Sequence, residues 1–321
     1  MKPRVDPHRR PCDRHRVHDP MWRRKLVLVT GKGGVGKTTL AAALARRAQA
    51  AGARVLAAEV STDVATASPL MRMLGHPEAR SADPIRLESG LSGVRLVPSA
   101  GHRRFLQASL RVKMLVDAAM RSSALNRFLM AAPAFPEVGT LFQLVSLLRE
   151  NDFDHVIVDL PATGHAIGLA ALPQTVLRVV PSGLIGDAIR EGLELMTDPE
   201  RGHALLVTLP EAMPVSETME LCQTLDGLGI RVQSMVLNRI PTDPFSSEER
   251  RALRAHLAEG PDRPLLGARE FSRLERARTA MDRFREEAPS AVSRVFLPDW
   301  TADSEPELVA KVEGRLQEIE A

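Results

Sequence analysis

The sequence predicts an α/β fold of three layers, in which a doubly wound, mostly parallel sheet lies between helices. Short apolar runs of strand type recur along the chain, and stretches of helical periodicity separate most of them. The strand-type runs are residues 26–29, 54–58, 94–97, 155–159, 204–209, 232–237 and 295–297. Alternation of this kind is typical of strand–helix–strand units that build a parallel sheet.

Composition adds few constraints. The 321 residues are 44% hydrophobic and 26% charged, as in ordinary globular proteins, and the net charge of +3 gives no whole-chain signal for binding nucleic acid. We predict no nucleic-acid partner. No apolar run approaches the ~18 residues of a membrane span, so no stable membrane insertion is expected. Two distant cysteines, Cys12 and Cys222, favour a reducing cytoplasm.

We expect a single domain over residues 23–321, because no repeat or linker divides this part of the chain. Residues 1–22 are rich in arginine, histidine and proline, which predicts a disordered basic tail. A basic arm for nucleic acid or acidic lipid is the alternative interpretation. Translation starts either at Met1 or at Met21.

The stretch from residue 26 to residue 39 joins a strand-type run to a glycine loop and then to a helix. Gly31, Gly36, Lys37 and Thr38 have the spacing of a phosphate loop, which predicts a P-loop NTPase fold. Glycines let backbone N–H groups surround phosphate oxygens, and the helix N-terminus adds partial positive charge. The residues expected at the nucleotide are Gly31, Gly33, Gly34, Val35, Gly36, Lys37, Thr38 and Thr39.

Two of these residues have chemical roles in the motif. Lys37 would reach the β- and γ-phosphates, and the Thr38 hydroxyl would hold Mg²⁺. A second lysine, Lys32, follows the first glycine. The chain has only six lysines among 43 basic residues, and two of them are in this loop. The loop resembles that of the MinD, ParA, nitrogenase iron-protein and arsenite-pump ATPases, and this resemblance implies that Lys32 acts on the nucleotide of a dimer partner.

A second motif narrows the resemblance. Residues 159–165, Asp-Leu-Pro-Ala-Thr-Gly-His, resemble switch II of the arsenite-pump and tail-anchored-protein-targeting ATPases, with the proline displaced by one place. Residues 131–140 and 208–218 are similar to the same family, and the likeness extends over roughly residues 24–318. It implies a Mg²⁺-dependent ATPase with ATP as its nucleotide, working as a homodimer or with a paralogue.

The family resemblance also implies site residues. Asp159 would bind Mg²⁺ through water, and Thr163, Gly164 and His165 would respond to the γ-phosphate. Asn238, at a strand end, and Pro298, in the Phe-Leu-Pro sequence of residues 296–298, resemble adenine-binding positions. A structural histidine and a strand-end turn are the simpler interpretations of His165 and Asn238.

Switch I departs from the family pattern. Ser61-Thr62-Asp63 is present, but Val64-Ala65-Thr66 replaces the following Pro-Ala-His, and Asp63 falls about two residues late. Ser61 occupies the expected position. We predict that Asp63 orients the attacking water, with Glu59 as the alternative carboxylate and a defective switch as the third interpretation.

The partner is the least determined feature. A small helical insertion and apolar helical segments around residues 103–150 and 172–200 lie where the family binds clients or forms dimers, although ordinary packing is the favoured interpretation of these apolar faces. The resemblance implies either a membrane pump subunit or a membrane-protein client. The family's arsenite-binding cysteine cluster and its Cys-x-x-Cys zinc site are absent from the sequence. The alternatives are a non-hydrolysing, ATP-gated binding module and a MinD/ParA-like positioning ATPase.

Overall fold

A computed structural model describes residues 20–109, 135–150, 153–179, 181–259 and 266–320. The strands of this part form one eight-stranded sheet in the order β3-β4-β2-β5-β1-β6-β7-β8. Their bounds are β1 Leu26–Gly31, β2 Val55–Val60, β3 Ile85–Glu88, β4 Leu91–Leu96, β5 His155–Asp159, β6 Gly202–Thr208, β7 Val232–Ile240 and β8 Ser293–Pro298. All neighbours are parallel except the edge strand β3, which is antiparallel to β4.

Helices cover both faces of the sheet, which confirms the predicted three-layer α/β architecture. Their bounds are α1 Lys37–Ala50, α2 Pro69–Met73, α3 Pro98–Ser109, α4 Phe135–Glu150, α5 Thr163–Val179, α6 Gly183–Thr197, α7 Ala212–Gly227, α8 Ser247–Ala258, α9 Ala268–Glu287 and α10 Glu305–Glu320. One hydrophobic core joins the sheet to α4, α5, α6, α7 and α9, and the other joins it to α1, α2 and α10.

The central strand β1 explains why residues 26–29 are continuously apolar. Leu26 and Leu28 point into the first of these cores, whereas Val27 and Val29 point into the second. A strand that is covered on both faces needs apolar side chains at every position. β1 therefore delivers the glycine loop from the interior of the sheet, where β5 and β6 pair with it on either side.

The strand order decides what meets that loop. β5 pairs with β1 on one side and with β2 on the other, so that Val29, Asp159 and Glu59 are register partners on adjacent strands. β2 continues to Val60, beyond the predicted end at Ala58. In parallel sheets the carboxyl ends of the strands share one edge, where ligands bind. Two carboxylates therefore lie beside the start of the phosphate loop.

Several predicted boundaries differ from the structure. β3 was not predicted, because Ile85–Glu88 alternates apolar and charged residues over only four positions. α3 begins at Pro98, ahead of the helical segment predicted from residue 103, and residues 110–134 of that segment lie outside the described residues. Pro136 sits in the first turn of α4, where a proline costs no helical hydrogen bond.

The predicted tail lies mostly outside the described part of the chain. Its last two residues, however, pack against the fold: Met21 is buried in the second core, and Trp22 contacts the same cluster. His203 Nε2 lies 2.8 Å from the Met21 carbonyl oxygen. The packed part of the chain therefore begins before residue 23.

Two glycines let α3 and α4 approach closely. A Cβ on Gly101 would lie 1.7 Å from the carbonyl oxygen of Gly139, and a Cβ on Gly139 would lie 2.6 Å from the carbonyl oxygen of Pro98. Both obstacles are backbone atoms, which cannot rotate away. The packing of this helix pair therefore excludes a side chain at either position.

We expect Gly101→Ala to lower the free energy of unfolding by about 1–3 kcal/mol, because overpacking against backbone forces the helices apart. Urea denaturation followed by circular dichroism measures this change. The control is Gly314→Ala in α10, where nothing lies within 4 Å of the added methyl. That substitution should stabilise by about 0.5–1 kcal/mol through helix propensity. Equal effects of the two variants would contradict the packing argument.

Candidate functional site

The loop between β1 and α1 has a backbone that only glycine accommodates at several positions. Gly34 and Gly36 have φ angles of 79° and 97°, in the left-handed region. A Cβ on Gly36 would lie 2.3 Å from Asn238 Nδ2, and a Cβ on Gly31 would lie 2.2 Å from the carbonyl oxygen of Val207. The glycines of the motif are therefore required by both conformation and space.

Positive charge converges on this loop. Gly36 is the N-cap of α1, and no side chain of the described residues caps the helix there, so the N–H groups of its first turn face the loop without a side-chain acceptor. The Lys37 ammonium donates a hydrogen bond to the carbonyl oxygen of Lys32 at 2.9 Å. Burial lowers the pKa of Lys37, and the Asp159 carboxylate opposes that effect. The arrangement has the chemistry of a phosphate site.

Beneath the loop, Thr38 Oγ1 donates a hydrogen bond to Asp159 Oδ2 at 2.7 Å. Asp159 is 7% exposed, and its other oxygen, Oδ1, is buried without a hydrogen-bond partner among the described residues. Burial raises the pKa of Asp159 to about 7 and the Glu59 carboxylate adds to the rise, whereas Thr38 and Lys37 oppose it. Hydroxyl and carboxylate oxygens are ligands that suit Mg²⁺, together with phosphate oxygens and water.

The start of α5 lies against the loop. The Cβ of Ala162 is 4.0 Å from the position that a Cβ on Gly33 would take. Thr163, Gly164 and His165 form the first turn of α5. The side chains of Thr163 and His165 lie outside the described structure, so their predicted roles in switch II stay predictions.

The predicted adenine positions also meet the loop. Asn238 Nδ2 donates a hydrogen bond to the Val35 carbonyl oxygen at 2.9 Å, and Asn238 and Pro298 line one small cavity of about 30 Å³ together with Gly36 and Thr39. Arg239, the next residue after Asn238, has a φ of 55° and is the one non-glycine residue with a positive φ in the described part of the chain. Both residues lie within β7, where its pairing with β8 shifts register between Leu237 and Ile240.

Asp63 occupies a different environment from the other predicted site residues. It is exposed, and its Oδ1 accepts hydrogen bonds from the backbone N–H groups of Ala65, at 2.8 Å, and Thr66, at 3.0 Å. The bond from Thr66 is the main reason that the pKa of Asp63 is lowered. These bonds are local to the segment after β2. The structure therefore does not bring Asp63 into contact with Lys37 or Thr38.

Glu59, the alternative carboxylate, is buried and fully engaged. Its Oε2 accepts hydrogen bonds from Ser68 Oγ at 2.6 Å and from the backbone N–H of Leu70 at 2.9 Å. Its Oε1 lies 3.3 Å from Arg95 Nη2. Glu59 would have to break these bonds before it could orient a water molecule.

Lys32 points to the other side of the loop, toward α7. Its ammonium lies 2.8 Å from Glu217 Oε1 and 3.5 Å from the sulfur of Met213. The Lys32 and Glu217 side chains are 38% and 37% exposed, and Met213 is 65% exposed. These three residues, which we call the Lys32 surface, lie at the protein exterior beside the phosphate loop.

Other site types find no support in the described residues. No three His, Cys, Asp or Glu side chains in them could together hold a metal ion, and Cys222 is a buried free thiol. None of the helices in the same part of the chain combines the length and apolar character needed to cross a membrane.

Two residues of the site were missed at the level of the sequence. Glu217 lies in the stretch 208–218 that carries family resemblance, but nothing marks it as a partner of Lys32, 185 positions away. Arg95 gave a stronger signal, because an arginine within the apolar strand Leu91–Leu96 must have a buried partner. Glu59, the second-last residue of the equally apolar strand β2, was the carboxylate that could pair with it.

A parallel sheet whose central strand feeds a glycine loop and an uncapped helix, with a hydroxyl–carboxylate pair beneath it, defines a phosphate-loop nucleotide-binding protein. The family model described as "Anion-transporting ATPase" matches residues 24–182 and 185–257. The chain belongs to this family, which confirms the resemblance to the arsenite-pump ATPases.

Curated relatives agree with this assignment. ATPase BagA of Mycobacterium tuberculosis is 29% identical over 67% of this chain and 65% of its own length. The putative arsenical pump-driving ATPase 2 of Aquifex aeolicus is 25% identical, over 71% of this chain and 86% of its own length. The arsenical pump-driving ATPase of Escherichia coli is 30% identical, over 66% of this chain and 34% of its own length. The chain thus spans just under two thirds of the mycobacterial relative and about a third of the Escherichia coli one.

The buried Asp159 predicts a pH dependence of stability in the nucleotide-free protein. Its pKa is about 7 in the folded state and near its ordinary 3.8 in the unfolded state, so the folded state binds the proton more tightly between these values. The free energy of unfolding should therefore fall as pH rises through this window. Asp159→Asn removes the effect, and its stabilisation over wild type should grow by on the order of 4 kcal/mol between pH 4 and pH 8.

Urea titrations of both proteins at several pH values measure this difference. Asp154→Asn is the matched control. The Arg54 side chain lowers the pKa of Asp154 to about 2, so this carboxyl is ionised above pH 5 in both the folded and the unfolded protein. Its effect should not change between pH 5 and pH 8. A pH-independent difference for Asp159→Asn as well would show that Asp159 titrates normally.

Proposed function

We propose that this chain is a Mg²⁺-dependent ATPase that works as a dimer and uses ATP binding and hydrolysis to switch a surface that engages a membrane-associated partner. The observation that carries the proposal is the Thr38–Asp159 hydrogen bond beneath an uncapped helix N-terminus. Family membership supports the ATPase activity. The dimer and the Mg²⁺ requirement go beyond what family membership supports.

Catalysis would depend on positioning and charge, as in other phosphoryl transfers. The loop amides and Lys37 would hold the β- and γ-phosphates. Thr38 and Asp159 would hold Mg²⁺, which when bound neutralises charge on the phosphate oxygens. Asp63 would accept a hydrogen bond from the attacking water once the exposed turn that carries it closes on the loop, while the two ends of its segment stay in place.

The Lys32 surface supports a role for Lys32 across a dimer interface. An ion pair between side chains that are 38% and 37% exposed contributes only about 0–1 kcal/mol, because water screens both charges. Such a pair is easily exchanged for a stronger contact. The phosphates of a facing protomer would provide one, since charge-assisted bonds strengthen when a closing interface excludes water. In this proposal Glu217 holds Lys32 in the resting state.

The switched surface would involve the first turn of α5, which directly follows Ala162, and the Cβ of Ala162 is 4.0 Å from the position that a Cβ on Gly33 of the loop would take. Loss of the γ-phosphate would release this turn and change the helices that pack on α5. The relatives named arsenical pump-driving ATPases support a pump subunit as partner, and a membrane-protein client is the second partner class. Cys222 is the one cysteine in the described residues, which does not support an arsenite site there.

Lys37→Ala should abolish ATP binding, because it removes the ammonium that faces the β- and γ-phosphates. Isothermal titration calorimetry with ATP and Mg²⁺ measures this, on a variant shown to be folded by circular dichroism. Undiminished affinity would refute the site. Binding by the wild type without Mg²⁺-dependent hydrolysis in single-turnover experiments would favour the non-hydrolysing, ATP-gated module instead.

Lys32→Ala should retain ATP binding and lose most turnover, because the missing charge belongs to the partner's site. Mixing it with Lys37→Ala tests this directly. In the heterodimer, nucleotide sits in the Lys32→Ala subunit and meets the intact Lys32 of the other subunit, so two inactive parents should regain activity. Heterodimers that form and remain inactive would place the action of Lys32 within its own chain.

The matched control is Lys311→Ala. The Lys311 side chain is also 38% exposed and pairs with Glu307 at 2.7 Å, but it lies on α10. Turnover of this variant should equal that of wild type. A comparable loss of turnover in Lys311→Ala would show that removing any exposed lysine weakens the enzyme, and it would contradict a specific role for Lys32.

A further inference from the structure

Arg95 is an unusual residue for a strand, since its side chain is only 2% exposed. It lies on β4, as the register partner of Glu59 on β2. Its guanidinium pairs with Glu59, which removes the cost of burying either charge alone. Pairing with Glu59 uses only part of the guanidinium, however, because arginine has five N–H donors.

The two terminal nitrogens of Arg95, Nη1 and Nη2, also hold the segment that follows β2. Nη2 donates to Ser61 Oγ and to Thr66 Oγ1, and Nη1 donates to the Thr66 carbonyl oxygen. These two residues flank Asp63. A single buried side chain therefore fixes both sides of the exposed turn that carries the predicted catalytic carboxylate.

Glu59 continues this restraint at the far end of the segment. Through Ser68 Oγ and the Leu70 N–H it anchors the start of α2. It is also the strand neighbour of Asp159, and burial and then the Glu59 carboxylate raise the pKa of Asp159. Residues 61–70 are thus tied to the sheet at both ends by one ion pair, directly beside the carboxylate expected to hold Mg²⁺.

We propose that Arg95 is a positioning residue for hydrolysis, and that the Arg95–Glu59 pair sets the location of switch I, residues 61–68, relative to the phosphates. This inference rests on the proposed ATPase function. Arg95 touches neither nucleotide nor water in this role. It acts through Ser61 and Thr66, which determine where the Asp63 carboxylate stands.

The proposal predicts a separation of kinetic constants. Arg95→Lys keeps the charge that Glu59 needs but cannot reach Ser61 and Thr66 together, since an ammonium lacks the planar fork. The value of kcat should fall at least about tenfold, because a small displacement of a catalytic group is costly. KM for ATP and the calorimetric Kd should stay within about twofold of wild type, because the phosphate loop is intact.

A second variant avoids the risk of disturbing the core. Ser61→Ala removes an acceptor of Arg95, together with the hydrogen bond that Ser61 Oγ donates to the Asp63 carbonyl oxygen at 3.0 Å, and leaves the ion pair in place. Its kcat should fall by about three- to tenfold, and the double variant should be no slower than Arg95→Lys, because both changes break one linkage. If Arg95→Lys does not fold, Ser61→Ala decides the question alone.

Arg250→Lys is the matched control. The Arg250 side chain is 3% exposed and pairs with two carboxylates, those of Asp243 and Glu275. None of its hydrogen bonds reaches switch I. This variant should lose stability as Arg95→Lys does, yet keep kcat within about twofold of wild type. Equal kcat losses in the two arginine variants would reduce Arg95 to a purely structural role.

Hydrogen–deuterium exchange of the nucleotide-free protein gives a readout that does not depend on activity. Backbone amides of residues 61–68 should exchange faster in Arg95→Lys and in Ser61→Ala, with residues 31–36 unchanged. If wild type proves unable to hydrolyse ATP, the proposed function fails, but this measurement still tests whether Arg95 holds residues 61–68 in place. Unchanged exchange in residues 61–68, or wild-type kcat in both variants, would overturn the inference.

Discussion

A row of buried charged groups at the carboxyl edge of the sheet is the constraint on which the site depends. Arg95, Glu59 and Asp159 are register partners on three adjacent strands, and Thr38 and Lys37 approach Asp159 from the phosphate loop. Charges buried in this way are tolerated only with close partners. The glycine loop, residues 61–68 and the Asp159 carboxylate are therefore held in one arrangement, and a shift of any of them leaves another group unpaired.

The strand order makes this row possible. Placing β5 between β1 and β2 brings a carboxylate that is more than a hundred residues away in sequence against the hydroxyl that follows the loop. In this position Asp159 Oδ1 has no hydrogen-bond partner among the described residues, and burial raises the pKa of the group to about 7. Such an unsatisfied buried oxygen is typical of a site built for a ligand, since a purely structural carboxylate would have both oxygens bonded.

The two lysines of the loop illustrate two kinds of environment. Lys37 is partly desolvated and bonds to the backbone of its own loop, whereas Lys32 lies on the surface in a pair that water screens. A partly buried lysine that is bonded to its own loop suits a constant task such as holding phosphates. An exposed lysine with a weak partner suits a task that begins only when a second molecule arrives. The chemistry of one side chain thus supports two functions that differ by burial.

The sequence by itself determined the phosphate loop, the order of strands and helices in the chain, the carboxylate that ends β5 and the family, because each is encoded by neighbours within a few positions. Glycine spacing dictates a local backbone, and an apolar run dictates a covered strand. The sequence does not predict the antiparallel edge strand β3, because Ile85–Glu88 is short and half of its residues are charged. Only the tertiary structure decided that Lys32 meets Glu217 and that Arg95 holds Ser61 and Thr66. Those partners depend on strand order and on the direction of each side chain, which local periodicity does not record.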